Sequence, residues 1–317
     1  VLSYGSAVHY NNRLEKALQP LNSKVFLVSG LLLGLGLLFR PTTILAFPGL
    51  MIICGNRKSM AYACCGLLPG AILLCTYNML RFGSPIETGY QQAWLVANPG
   101  LISTSGFDLV RMIPQAFSLW VSPGKGMLFF SPIILAIFLF PLSTRYKNPS
   151  VVLAIAVTVV LYSLFYGANF AWHGSAWSWG PRYLIPLTPL LILLIPIPPR
   201  KSYLGITVAL LALFSVLIQV AATLTNYKRH LLTTYIEQPA AFKDGSIYDF
   251  CLSPLIAMPS NMLHLSRRLK DTDILFTYFS PGSWMNEARI VSIRTMLNSS
   301  IDLNSFDVWW IRLQYYP

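Results

Sequence analysis

Seven apolar stretches separated by short polar segments dominate the pattern of this chain. They are 25–39, 41–54, 61–80, 127–142, 150–167, 183–199 and 202–222. A helix needs about 20 residues to cross the hydrocarbon core of a bilayer, so most of these stretches need flanking residues or shelter from neighbouring helices. The pattern predicts an all-α polytopic membrane protein, a helical bundle of about seven membrane segments with a small extracytoplasmic C-terminal region.

The first two stretches are separated only by Arg40 and Pro41. They fit two crossings or one long kinked helix, because proline removes a backbone donor. Two crossings place on one side three short loops that carry six cations and no acid: 55–60, 143–149 and 196–201. Lys and Arg concentrate in cytoplasmic loops. We therefore predict a hairpin, with the short loops inside and the longer loops 81–126 and 168–182 outside.

Composition agrees with an integral membrane protein and divides the chain in two. Of the 317 residues, 55% are hydrophobic and 11% charged, whereas soluble domains carry about 25% charged residues. The net charge of +12 is spread between apolar runs, so nucleic acid is not a predicted partner. We predict a transmembrane bundle over 1–222 and a tail region over 223–317, which differs in composition because most acids lie there. The distribution of Lys and Arg among the loops places this tail on the extracytoplasmic side. Periodicity further predicts helices over 107–120 and 254–270 and a strand over 274–279.

The Arg182 loop (residues 172–183) is the strongest candidate site. A cation and a histidine at a membrane surface are costly without a partner, and a guanidinium binds phosphate in bidentate fashion. Arg182 is therefore predicted to bind an anionic, lipid-borne group. His173 fits a hydrogen-bond donor to phosphate, a proton carrier or a structural residue. Aromatic residues here stack on sugars or lipids, or form an ordinary interfacial belt: Trp172, Trp177, Trp179 and Tyr183, with Tyr90 in the preceding external loop.

Three further residues on the predicted outer side carry candidate chemistry. Lys125 stands between two glycines at a helix start, which suits either a phosphate or a turn anchored at the headgroups. Arg40 can join the same anion or only mark a helix end and snorkel outward. Glu87 is a weak candidate for a catalytic base and otherwise pairs with Arg81 or caps a helix. No His or Cys shows metal-ligand spacing, so no cofactor is predicted and a divalent cation is not indicated.

Five motifs occur in one order along the chain. They are Gly30–Thr42, Arg81–Tyr90, Gly124-Lys125-Gly126 with Ser131-Pro132, Trp179–Tyr183 with Pro186, and Asp307–Trp310. Together they resemble bacterial GT-C superfamily membrane glycosyltransferases, in the branch similar to protein mannosyltransferases. The resemblance implies a bundle in the bacterial inner membrane with extracytoplasmic active-site loops. It also implies transfer of a sugar, with inversion, from a polyprenyl-phosphate donor to a lipid, glycan or protein acceptor of the cell envelope.

One departure from that family concerns the catalytic acid. In the family it lies in the first external loop, far upstream of the segment that Gly30 begins, and here 29 residues precede Gly30. No catalytic residue is therefore transferred, and the chain is expected to be part of a longer enzyme or a remnant without catalysis. The alternative is a non-catalytic integral membrane subunit with a protein partner. A lipid flippase is disfavoured, because no predicted span contains an acid.

Overall fold

The computed structural model describes residues 23–87, 107–139, 149–169, 171–174, 178–195, 203–224 and 247–256. The α-helices are α1 (Ser23–Phe39), α2 (Phe47–Cys54), α3 (Arg57–Phe82), α4 (Met112–Val121), α5 (Met127–Phe130), α6 (Pro149–Ala168), α7 (Thr188–Leu193) and α8 (Tyr203–Leu224). Short 3-10 helices cover Pro41–Ala46, Pro132–Ile137 and Ile185–Leu187. In these described parts, β-structure is limited to an isolated bridge between Phe107 and Asn169. The predicted all-α architecture is confirmed for them.

Three of the described helices are long and apolar enough to cross a membrane. They are Arg57–Phe82, Pro149–Ala168 and Tyr203–Thr223. Shorter apolar helices cover Lys24–Phe39, Pro41–Cys54 and Met112–Val121. These helices support a membrane protein, whereas the number of seven crossings and the side of the C-terminal tail remain predictions.

The described residues fall into two compact units. The first comprises those within 1–116, 137–170 and 186–206, and the second those within 117–136, 171–185 and 207–317. The predicted boundary at residue 222 was drawn from composition, whereas these units are defined by contacts, so the units do not test that boundary. Each unit is described by itself.

In the first unit the chain reverses direction at Arg40. The Thr43 hydroxyl donates to the carbonyl groups of Gly36, at 3.2 Å, and Arg40, at 2.7 Å. Phe26 near the start of α1 and Cys54 at the end of α2 belong to one hydrophobic core cluster. In a continuous helix these two residues would lie roughly 40 Å apart. The predicted reversal of the chain is confirmed and a single kinked helix is excluded, whereas two membrane crossings at this position remain a prediction.

Helices α1 and α3 pack closely through glycine. A Cβ atom at Gly70 would overlap the backbone of Gly34, and one at Gly66 would overlap the backbone of Leu27. The later residue of α3 meets the later residue of α1, so the two helices run parallel. Small residues that let helix backbones approach are a common basis of helix association in membranes.

Bulk at the α1–α3 contact should destabilise the first unit. We expect Gly70→Val to lower the free energy of unfolding by about 1–3 kcal/mol, the usual effect of overpacking, because the helices must separate to admit the side chain. Ala61→Val on the exposed side of α3 is the matched control and should change it little. Denaturant titration in detergent micelles measures both, and equal effects would contradict the close contact.

The stretch 127–142, predicted as one membrane segment, is divided within residues 127–136, which belong to the second unit. Helix α5 ends at Phe130, Ser131 follows it, and Pro132 begins a 3-10 helix. Two side chains of α8 satisfy the backbone groups at this break: the Gln219 amide donates to the carbonyl of Phe130 at 2.8 Å, and the Ser215 hydroxyl accepts from the N–H of Ile133 at 2.8 Å. Neighbouring side chains commonly satisfy broken membrane helices in this way. Residues 140–142 lie outside the described part.

Other predicted elements differ in extent. The external helix expected over 107–120 begins at Met112, because the Asp108 carboxylate accepts the N–H groups of Val110 and Arg111, both at 3.0 Å, in a turn before it. The stretch 183–199 forms only short helices up to Leu193, and 196–199 lie outside the described residues. The predicted strand and all but the first three residues of the helix expected over 254–270 also lie outside them.

Candidate functional site

The Lys125 turn (residues 122–126) is the centre of the candidate site in the second unit. It connects α4 to α5, and Lys125 is only 2% exposed. Its ammonium donates to the backbone carbonyl and, at 3.1 Å, to the hydroxyl of Ser178. A buried cation is tolerated when hydrogen bonds replace its hydration. Lys125 therefore fixes the position of Ser178 in the Arg182 loop.

Electrostatics link Lys125 to Arg182. Burial, followed by the positive charge of Arg182, lowers the pKa of Lys125 from 10.5 to about 7. Both effects disfavour the ammonium form, so the lysine is half protonated near neutral pH. An anion near these two groups would favour the ammonium form.

Arg182 is the exposed cation of this pair. Its guanidinium carbon lies 5.3 Å from the centre of the Tyr183 ring, a distance typical of a cation–π contact. Its side-chain stem passes Gly174, where the backbone has φ +74° and a Cβ atom would lie 2.9 Å from Cγ of Arg182. Within the described residues Arg182 forms no salt bridge. Its charge is thus presented at the surface, while its stem is fixed.

Aromatic packing fixes Trp179 and Gly180 in the Arg182 loop. Trp179 meets Phe130 of α5 edge to face, with ring centres 4.9 Å apart. At Gly180, where φ is +52°, a Cβ atom would lie 2.8 Å from the Phe130 ring. Glycine is therefore required at this position both by the left-handed backbone and by the close approach. The backbone that precedes Arg182 therefore has little conformational freedom.

The structure assigns the predicted stacking aromatics to different environments. Trp172 is buried at 6% exposure and contacts His173 edge to face, with ring centres 5.7 Å apart. Trp179 and Tyr183 are half-buried. Trp177 and Tyr90 lie outside the described residues. Trp172 packs as a core residue here, which leaves little of its ring for a ligand.

Arg40 and Glu87 belong to the first unit. The Arg40 guanidinium lies 5.5 Å from the centre of the Tyr166 ring, and the Tyr166 hydroxyl is 2.7 Å from that of Thr42. These contacts connect the hairpin turn to the end of α6. Glu87 is half-buried after α3. The expectation that Arg40 joins Arg182 and Lys125 around one anion, with Glu87 in the same pocket, involves residues of both units and remains a prediction.

The tail segment (residues 247–256) contributes to the site, and sequence reasoning missed it. The Gly124 N–H donates to the carbonyl of Ile247 at 3.0 Å, and the Ser253 hydroxyl donates to the carbonyl of Pro123 at 2.8 Å. Ile247 and Ser253 are almost fully buried. The available signal was the cluster Tyr248-Asp249-Phe250, two aromatic residues around an acid in an otherwise polar region.

The charge balance of the described second unit is positive. Apart from His173, the charged side chains among the described residues of this unit are Lys125, Arg182 and Asp249. One oxygen of Asp249 accepts the N–H of Cys251 at 2.8 Å in a local turn. Across the described residues, no group of three or more His, Cys, Asp or Glu is arranged to hold a metal ion. The arrangement suits an anionic ligand bound by the protein's own cations.

Comparisons with protein-family models, curated proteins and solved structures each find no match for this chain.

Proposed function

We propose that this chain acts in a GT-C-type membrane glycosyltransferase. The enzyme transfers a sugar from a polyprenyl-phosphate donor to a lipid, glycan or protein acceptor on the extracytoplasmic side of a bacterial inner membrane. The observation that supports this function is the pair of neighbouring cations in the second unit, one exposed on a fixed loop and one buried beneath that loop. Like charges held close together favour the binding of an anion such as phosphate.

The two cations have different roles in this proposal. Arg182 contacts the phosphate of the donor through its planar fork. Lys125 donates a hydrogen bond to Ser178. It therefore positions the Arg182 loop and adds a buried positive charge near Arg182. Preorganised charge that stabilises a leaving group often contributes more to catalysis than any other single effect.

The reaction is a displacement at the anomeric carbon. The acceptor hydroxyl oxygen forms the new bond to that carbon, and the bond from the carbon to the phosphate oxygen breaks. The leaving polyprenyl phosphate takes the electron pair and is stabilised by Arg182, while the hydroxyl proton passes to a base. Glu87 remains a weak candidate for that base.

Lipid binding tests the proposed donor site directly. The full chain in lipid nanodiscs should bind polyprenyl phosphate at least tenfold more tightly than the matching polyprenol, which has the same chain and no phosphate. Native mass spectrometry at fixed lipid ratios measures the difference. Equal binding of the two lipids would exclude a phosphate site.

A non-catalytic membrane subunit is the second candidate function. It is favoured by the charge distribution, because Asp249 is the one acid among the described residues of the second unit and already accepts a backbone N–H. Isolation from native membranes distinguishes the two functions. A stoichiometric protein partner without retained lipid phosphate would favour the subunit, whereas sugar transfer by the purified chain would exclude it.

A further inference from the structure

The ring of Tyr248 is presented at the surface of the second unit beside a buried aromatic residue. Tyr248 is 51% exposed, whereas Trp172 is 6% exposed. Their ring centres lie 6.2 Å apart with an angle of 34° between the planes. Trp172 thus supports one side of Tyr248, and about half of the tyrosine remains accessible.

The position of Tyr248 is fixed by its neighbours. Its hydroxyl lies 3.4 Å from the hydroxyl of Ser118 on α4. The preceding residue, Ile247, is bonded to the Lys125 turn through Gly124, and Ser253 bonds to the same turn. A ring held in this way loses little conformational freedom when a ligand stacks on it, which favours binding.

Asp249, the next residue in the chain, adds an acceptor at the surface. The residue is exposed. Its Oδ1 accepts the N–H of Cys251 at 2.8 Å, which fixes the carboxylate and leaves Oδ2 outside any hydrogen bond with the described residues. An aromatic face with a few well-placed polar groups is the usual lining of a small-molecule site. Hexopyranoses match it, because one face of the ring presents C–H groups and the rim presents hydroxyl donors.

We propose that Tyr248 and Asp249 form the subsite for the sugar of the donor, a hexopyranose. The Tyr248 ring stacks on the C–H face of the sugar, and the Asp249 carboxylate accepts from its hydroxyls. The Lys125 turn connects this subsite to the Arg182 loop, since both the tail segment and Ser178 bond to that turn. The inference rests on the proposed glycosyltransferase function and names the residues that recognise the sugar.

Binding to two lipids separates this subsite from the phosphate site. The full chain in nanodiscs is titrated with bare polyprenyl phosphate and with polyprenyl phosphate carrying glucose, galactose or mannose. We expect Tyr248→Ala to weaken binding of the best sugar-bearing lipid about three- to tenfold, the magnitude of one aromatic contact, and to leave the bare lipid unchanged. Asp249→Asn, which keeps the acceptor for Cys251, should act in the same direction.

Two control variants make the result specific. Tyr248→Trp retains a stacking face and should retain sugar-dependent binding. Phe250→Ala removes a neighbouring ring that is 49% exposed and lies 6.1 Å from Phe129, and it should affect both lipids equally or not at all. Thermal unfolding of each variant reports whether the fold is intact.

Several outcomes would overturn the subsite. If the unaltered chain binds bare and sugar-bearing lipids equally, the sugar is not recognised, although the phosphate site stands. If Tyr248→Ala leaves sugar-dependent binding unchanged, the tyrosine serves as an interfacial anchor. If the chain binds none of the lipids, the proposed function itself fails, and the subsite fails with it.

Discussion

Replacement of Arg182 by alanine is expected to reduce sugar transfer from a polyprenyl-phosphate donor by about a hundredfold or more, the usual effect of removing a charge-stabilising donor from a transition state. Arg182 is the exposed member of the cation pair, its stem is fixed against Gly174 and its guanidinium rests on Tyr183. The phosphate gains negative charge as the sugar leaves, so the loss should fall mainly on turnover. Single-turnover kinetics with the full chain in nanodiscs measure it.

Two further substitutions separate this role from general effects of charge. Arg182→Lys keeps the charge but not the planar fork, so it should recover only part of the activity. Arg111→Ala removes an exposed arginine whose 3.7 Å ion pair with Asp108 is local, and it should leave turnover unchanged. Undiminished turnover in Arg182→Ala, with the donor still bound, would show that another residue stabilises the leaving phosphate.

The hairpin at Arg40 could be predicted because two independent signals agree in the sequence. Pro41 interrupts the apolar pattern, and a single kinked helix would place every basic short loop outside, whereas Lys and Arg concentrate in cytoplasmic loops. Both signals are local or compositional, so they are visible without knowledge of packing. The burial of Phe26 and Cys54 in one core cluster is the tertiary consequence of that reversal.

The division of 127–142 was less accessible to sequence reasoning. Hydrophobicity predicts burial in lipid or protein but does not distinguish a continuous helix from a broken one. Ser131-Pro132 signals an interruption, yet the break is stable because Ser215 and Gln219, far along the chain, satisfy the freed backbone groups. That pairing depends on tertiary structure, which periodicity within one segment does not encode.

The candidate site was predicted in part for a similar reason. Cations and glycines near Lys125 and Arg182 indicated an anion site from residue type alone. The burial of Lys125 and its bonds to Ser178 could not be inferred, because they depend on loops that are distant in sequence. The tail segment was missed altogether, since its anchoring groups are backbone atoms and a single serine.

The buried Lys125 should make the free energy of unfolding rise with pH. A lysine in an ion pair has the opposite effect, because its pKa is raised in the folded state. The pKa of Lys125 is about 7 in the folded chain, whereas an exposed lysine titrates near 10.4. Between these values the unfolded chain binds more protons, so the free energy of unfolding rises with pH from about 7 to about 10. The effect is on the order of 5 kcal/mol, because each tenfold change in proton affinity corresponds to about 1.4 kcal/mol.

Lys125→Met isolates this effect, since methionine occupies similar space and does not titrate. We expect unfolding in detergent, followed from pH 6.5 to pH 10, to show a rising difference between the unaltered chain and the variant. The methionine variant also loses the bonds to Ser178, which shifts its whole curve downward by about 1–3 kcal/mol without changing its slope. Lys58→Met, at an exposed position in α3, is the matched control for the same substitution at the surface.

The same titration connects stability to ligand binding. A phosphate near Lys125 and Arg182 stabilises the ammonium form, so binding above pH 7 takes up a proton and weakens as pH rises. The sugar-bearing polyprenyl phosphate, a phosphodiester whose own charge is constant from pH 6.5 to pH 8.5, should therefore bind more tightly at the lower pH, and Lys125→Met should remove most of that difference. A pH-dependent affinity that persists in the methionine variant would assign the titration to another group. An affinity without pH dependence in the unaltered chain would place the phosphate beyond the influence of Lys125.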